Sequence, residues 1–289
     1  MAERERHQLG LGPSILYPAK AAATRARSLG WRLGGGRRRR PGIRILFYHR
    51  VSDDPDELAV TPAAFARHIE ALAAMGLRGV TVAEVVSLLD AGRDDEPVVG
   101  LSFDDAYRDV AEHALRVLER HDFRATVYVA TGVTDGRAHF SWYEEQPPLI
   151  SWESISELDG GVFEFEPHTV THPNLLILDE DDAAQEIGGS KAELEERLHR
   201  PSTTFCYPAG LFGARERELV ARSGLAAAVS CEPGVNVAAT DRYALHRIQV
   251  DARDSVLDVR AKAAGAHDVP LPLRDAWRRL RYGMPSSRP

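Results

Sequence analysis

Cysteine is almost absent: Cys206 and Cys231 are the only two in 289 residues. So few thiols in so long a chain exclude a disulfide framework, and both read as reduced residues. Long apolar runs are missing too. No stretch approaches the ~20 apolar residues needed to cross a bilayer. The head has neither an uninterrupted apolar core nor a small-residue cleavage site, so no secretory signal is read. A GxxxxGK(S/T) phosphate loop is lacking, which argues against nucleotide hydrolysis, and there is no internal repeat. These absences predict a cytoplasmic protein.

What is present is ordinary in amount and uneven in distribution. Apolar residues make up 44% and charged residues 27%, as in a soluble globular protein with one large core or two smaller ones. The net charge of −7 conceals a split. Residues 1–44 hold eleven Arg or Lys, including Arg37 to Arg40, against Glu3 and Glu5, which is +9 and leaves −16 for the rest. A basic head on an acidic body suggests an arm that is simply solvated, or one that meets an anionic surface. Ile15, Leu16, Tyr17, Leu29, Trp31 and Leu33 lie among basic residues, as in a helix resting on a membrane. Such a helix would hold the protein at the inner membrane face. Nucleic acid is not expected, because the body carries no basic stripe.

Gly34 to Gly36, four arginines and Pro41 read as a linker. The expected organisation is therefore a basic arm and linker over 1–42, a catalytic domain over 43–250, and a helical extension and tail over 251–289. Within the domain, strand candidates fall at 45–51, 97–103, 125–130, 162–165, 203–207, 226–230 and 244–250. Helical patterns fall between them at 62–75, 82–89, 107–121, 152–158, 180–198 and 214–223. Thr61-Pro62 supplies a cap and a proline at the first helical position, while Gly76 and Gly224 close helices. This alternation predicts an α/β fold with a parallel sheet, open or closed into an irregular barrel of about seven strands. Polar residues collect where those strands end: His49, Asp104, Asp105, His168 and the Pro208 to Gly210 turn. Catalytic groups gather at that rim in α/β folds.

Two groups carry chemistry. Asp104 and Asp105 are adjacent carboxylates at a buried strand end, and need a cation or proton between them. His168 and His172 are four apart, and Pro173 restricts any helix there, so they converge from a loop or a single turn. Together they imply one carboxylate and two imidazoles around a divalent metal: Zn, Co, Ni, Mn or Fe. Three protein ligands leave room for water, and the spare aspartate becomes a base aimed at it.

Several stretches, in order, resemble the polysaccharide deacetylases, the NodB-homology or carbohydrate esterase family 4 enzymes. These are residues 45–51, Leu101-Ser102-Phe103-Asp104-Asp105, His168-Thr169-Val170-Thr171-His172-Pro173-Asn174-Leu175, Phe205-Cys206-Tyr207-Pro208-Ala209-Gly210 and Leu245-His246-Arg247-Ile248. The resemblance implies a distorted (β/α) barrel and metal-dependent removal of N-acetyl groups from an acetylated glycan. It implies that Asp105, His168 and His172 hold the metal, most simply zinc, and that Asp104 is the base. Tyr207 and Pro208 would wall the groove, and the Ala209 N–H would help bind the oxyanion.

Two departures matter. Cys206 stands where many members place an arginine that fixes the base, and the catalytic acid histidine of the fifth motif has no clear counterpart. Arg247 is expected to supply the missing cation, with His246 facing away by strand alternation, and His49 is a candidate acid. Loss of the usual acid keeps ester deacetylation open, and the substitution at Cys206 keeps open a catalytically weak, sugar-binding role. Phe140, Trp142, Tyr143 and Trp152 are candidates to line a sugar groove, Trp152 being better suited to the core.

Overall fold

The computed structural model describes residues 13–36 and 41–269. The chain opens with helix α1 (Pro13–Leu33), then β1 (Ile45–Tyr48), β2 (Arg50–Val51) and β3 (Ala59–Val60). Next come α2 (Pro62–Ala73), β4 (Arg78–Val80), α3 (Val82–Asp90) and β5 (Val98–Phe103). A π-helical turn, Val110–Ala114, leads into α4 (Leu115–Arg120) and β6 (Ala125–Val129). The short α5 (Thr131–Thr134) and α6 (Trp152–Leu158) precede β7 (Phe163–Pro167) and α7 (Glu180–Leu198). The rest is β8 (Thr204–Cys206), α8 (Ala214–Arg222), β9 (Ala227–Val229), β10 (Arg247–Gln249) and α9 (Val256–Ala263).

Local chemistry sets these boundaries. The Thr61 hydroxyl accepts the Ala64 N–H at 3.2 Å while Pro62 opens α2, which satisfies one of the free donors of the first turn. Ser255 and Asp258 form a reciprocal box at the start of α9. Strands β1, β5 and β6 are buried at every position, as parallel strands are when both faces of the sheet are covered. Tyr48, Phe65, Phe103, Phe163 and Phe165 form a chain of rings through the core, with centroids 5.3–6.2 Å apart.

The principal sheet runs β10-β1-β5-β6-β7, with β4 also paired to β5, and every pairing is parallel. Strands β8 and β9 form a separate parallel pair. Between β7 and β8 the expected ladder is replaced by one side chain. The buried Glu166 carboxylate accepts the Thr203 and Thr204 N–H groups at 2.8 and 2.7 Å, and Arg200 braces it at 3.1 Å. On the other side, a single bridge from Val229 to Leu245 links β9 towards β10. The fold is thus a parallel α/β sheet that curves without a continuous closing ladder among the described residues. The expected strands are present, with 45–51 divided at His49; the short β3 and β4 had not been expected.

The N-terminal boundary near Ile43 does not separate α1 from the domain. Helix α1 lies against α9, with Thr24 and Ser28 buried. Lys20 pairs with Asp251 at 2.9 Å and Arg25 with Asp258 at 3.0 Å, while Ser28 meets His267 at 3.1 Å. Part of the basic head therefore finds its anionic partner in the protein's own acidic body. The Arg37 to Arg40 run of the linker and the basic stretch 274–281 with Trp277 lie outside the described residues. No helix among the described residues is long and apolar enough to cross a membrane.

Candidate active site and metal centre

Strand alternation does most of the placing. Side chains two apart on a strand share a face, so Ser102 and Asp104 both turn inward from β5 to Arg247. Asp105 would then point away, but its backbone adopts φ +71 and brings its carboxylate back to the same rim. Five of the seven non-glycine residues with positive φ among those described are Asp105, Ala106, Thr169, His172 and Ala209. Such conformations cost about 1–3 kcal/mol each and cluster where geometry serves chemistry.

The His168 to His172 segment is a loop, not a helical turn. Its Val170 and Thr171 N–H groups donate to Glu186 of α7, both at 2.8 Å, and the Thr171 hydroxyl donates to the same carboxylate at 2.7 Å. The His172 N–H donates to Thr169 Oγ1 at 3.0 Å. His168 Nδ1 lies 2.6 Å from the Cys206 carbonyl oxygen, which can only accept, so Nδ1 carries the proton and Nε2 presents a lone pair. Burial pushes the His168 imidazole down to about 4 and holds His172 well below its ordinary value, so both rings are neutral and able to offer a lone pair.

Asp105 Oδ1 is 3.6 Å from His168 Nε2 and 3.6 Å from His172 Nε2. That is too long for a hydrogen bond, and this buried oxygen has no hydrogen-bond partner. Two bonds of about 2.1 Å meeting near a tetrahedral or trigonal angle span about 3.3–3.6 Å. The three donors therefore fit a single divalent ion. Burial, and then the Asp104 charge, raise the Asp105 carboxyl well above its ordinary value, so this oxygen requires a cation or a proton.

Asp104 has the opposite surroundings. Burial alone would push it up, but Arg247 overrides that and holds it below the usual carboxylate range. Arg247 Nη1 and Nη2 donate to its two oxygens at 2.6 and 2.8 Å. The remaining guanidinium N–H groups reach Ser102 Oγ at 3.1 Å, the Ser230 carbonyl at 2.9 Å and Cys206 Sγ at 3.1 Å. All five donors of this fully buried cation are used. Its face lies 4.3 Å from the Phe47 ring. Arg247 thus occupies the charge position opened by Cys206. His246 turns to the other side of β10, its ring close against Gly234.

His49 leaves the end of β1 half-buried, and feels both Asp104 and Arg247. Burial lowers its pKa, which keeps it neutral. Tyr207 and Pro208 do not wall a groove, because both are buried. Since Cys206 faces Arg247, Phe205 and Tyr207 turn outward by alternation. Tyr207 stacks on Phe212 at 4.4 Å and donates its hydroxyl to the Tyr243 carbonyl at 3.1 Å. Ala209 stands at φ +52 and is exposed. The Gly210 and Leu211 N–H groups after it are taken by Tyr207 and Pro208 carbonyls, whereas the Ala209 N–H meets no acceptor among the described residues. Gly210 has no side chain for a reason: at φ +63 a Cβ would lie 2.6 Å from the Cys231 nitrogen. Of the aromatic candidates, Phe140 is buried and Trp152 is half-buried against Arg197. Trp142 is 44% exposed beside His172.

The polysaccharide deacetylase sequence profile matches residues 91–228, the span that carries both aspartates, both histidines and the Cys206 to Gly210 turn. The chain thus resembles the polysaccharide deacetylase family at the motifs that form this site. The Bacillus subtilis protein YxkH, assigned to the same family, is 27% identical over 207 residues, covering 71% of this chain and 70% of that one. The poly-β-1,6-N-acetyl-D-glucosamine N-deacetylase of Staphylococcus aureus strain MRSA252 is 22% identical over 215 residues, covering 71% and 72%. Among solved structures, the Streptococcus pyogenes deacetylase PplD, in complex with acetate, superposes with a TM-score of 0.69 at 25% identity, covering 78% of this chain and 99% of that one. IcaB from Ammonifex degensii gives 0.68 at 26%, covering 78% and 98%. These matches agree on the NodB-like fold and on polysaccharide deacetylases as the proteins this chain resembles.

Proposed function

We propose that this chain is a metal-dependent N-deacetylase acting on a polymer of N-acetylhexosamine. The observation that carries the reading is the pairing of two unlike carboxylates. Asp105 offers an orphaned oxygen to two neutral histidines, while Arg247 keeps Asp104 ionised beside it. Divergent environments for neighbouring acids are how one site assigns separate roles. The N-deacetylase relative makes β-1,6-linked N-acetylglucosamine the first substrate to try.

A divalent ion held by Asp105, His168 and His172, zinc in the simplest case, would acidify water and polarise the acetyl carbonyl. Asp104 takes the proton from the attacking water, and its two bonds to Arg247 keep it aimed and charged. The exposed Ala209 N–H donates to the developing oxyanion. His49, at the half-exposed mouth of the site, relays a proton to the leaving nitrogen. Its neutral state favours a second reading, hydrolysis of O-acetyl esters, whose alkoxide leaves with less help from an acid.

The test is acetate release from β-1,6-N-acetylglucosamine oligomers and from an O-acetylated glycan. Zinc-loaded, chelator-treated and Asp104→Asn proteins are compared. Metal-dependent release from the oligomers, reduced at least about a hundredfold in Asp104→Asn, is expected. Release from esters alone would establish the second reading, and release unaffected by chelation would overturn both.

The proposal extends to an anionic membrane surface as a partner of α1. The outward residues Ala22, Ala26, Leu29 and Leu33 form one stripe, with Leu29 47% and Leu33 79% exposed, flanked by Arg25 and Arg32. Flotation with phosphatidylglycerol vesicles, compared with Leu29→Ser/Leu33→Ser, checks it; equal flotation would dismiss it.

A further inference from the structure

Trp142 is a large apolar side chain on the open face of the site, and nothing in the reaction so far uses it. One face of its indole lies on the buried Phe140 ring, with centroids 4.6 Å apart and planes 19° from parallel. The side chain is nevertheless 44% exposed, so the uncovered face is turned to solvent. Its centroid is 5.0 Å from the His172 ring at an interplanar angle of 69°. This places a flat apolar surface directly beside His172, one of the metal-ligand candidates.

The loop that carries it is fixed. The Phe140 N–H donates to Gln146 Oε1 at 2.7 Å, and the Tyr107–Leu149 bridge anchors the far end. The Tyr143 hydroxyl donates to Asp56 at 2.5 Å, and Asp56 pairs with the buried Arg50 at 2.8 Å. A rigid, exposed tryptophan loses little entropy when a partner covers it. Partners that suit one aromatic face are flat and apolar on one side and polar at their edges. The axial C–H face of a β-linked pyranose has that character, and aromatic linings orient ligands in this way.

We propose that Trp142 is a specificity residue, a platform on which a pyranose ring of the substrate rests beside His172. This rests on the deacetylase reading of the site. It makes the substrate class a β-linked hexosamine oligomer rather than any small acetylated molecule, because the platform contributes nothing to a substrate without a ring.

The test separates binding from turnover. In the Asp104→Asn background, Trp142→Ala is expected to weaken the Kd for β-1,6-N-acetylglucosamine pentamer about tenfold, as loss of one aromatic contact does. Trp142→Phe should restore most of it. In the otherwise native enzyme, Trp142→Ala should raise KM for the pentamer with little change in kcat. Equal pentamer affinity with and without the indole overturns the platform, as does a fall in kcat with KM unchanged. Because Kd is read without turnover, a protein that binds the pentamer through Trp142 and releases no acetate would sink the deacetylase reading and leave the platform standing.

Discussion

At the scale of single residues, the Arg247–Asp104 pair is where chemistry and stability meet. Both groups are buried, and the cation is completely so. A buried ion pair adds little net stability, but removing one partner strands the other charge at a cost of about 3–5 kcal/mol. Arg247→Met should therefore lower the unfolding free energy from urea titration by an amount in that range and also remove activity. Arg247→Lys keeps the charge but cannot donate to both oxygens of Asp104 while reaching Ser230 and Cys206. It is expected to recover stability better than rate. The check is denaturant unfolding beside acetate release: equal recovery of both would mean that Arg247 does no more than neutralise Asp104.

At the scale of elements, the metal-ligand candidates stand on loops held by side chains from elsewhere. Glu186 of α7 takes three donors from the His168 to His172 loop, and it is the only brace of its kind seen on that loop among the described residues. Glu186→Ala would leave those donors to water and loosen His172. Supporting groups around a metal typically contribute 10–100-fold in affinity, so zinc affinity measured against a competing chelator should fall about that much. Activity at saturating zinc should fall far less. An unchanged affinity would show that the loop's own turn holds His172. Glu186 could not be read from sequence, because nothing in a helical pattern says which turn a carboxylate will meet. What could be read was local: apolar runs as strands, Thr61 as a cap, paired acids at a strand end, two histidines four apart. The period of two was enough to separate Arg247 from His246. The same rule applied to Cys206 would have turned Tyr207 outward, had the cysteine been recognised as the inward residue. The Glu166 splice between β7 and β8 was likewise hidden, since a buried carboxylate standing in for a ladder leaves no periodic trace.

For the whole molecule, the lesson of α1 is that charge summed over a segment does not say where its partners are. The basic head was read as an arm, yet its helix closes a polar interior shared with α2 and α9. Two histidines of that interior are buried and neutral. Burial pushes His68 down to about 4, with Lys262 and Arg67 assisting and the Asp254 carbonyl and Asp258 opposing. His267, against Ser28 of α1, is pushed down to about 3 by burial, then by Lys262 and Arg27, with Asp258 opposing. In the unfolded chain both titrate near 6.5. Above that value their contribution to stability is complete. As the pH falls from about 6.5 towards 4, the unfolded chain takes up protons that the folded chain refuses. Stability should then drop by up to about 1.4 kcal/mol per pH unit for each histidine. Unfolding free energies from pH 7.5 to 5 for the native chain and for His68→Gln/His267→Gln would test this. The double variant starts less stable but should show a distinctly shallower acid slope. Parallel slopes would place the acid sensitivity in the carboxylates alone and leave α1 a helix that packs on the domain without tuning its response to pH.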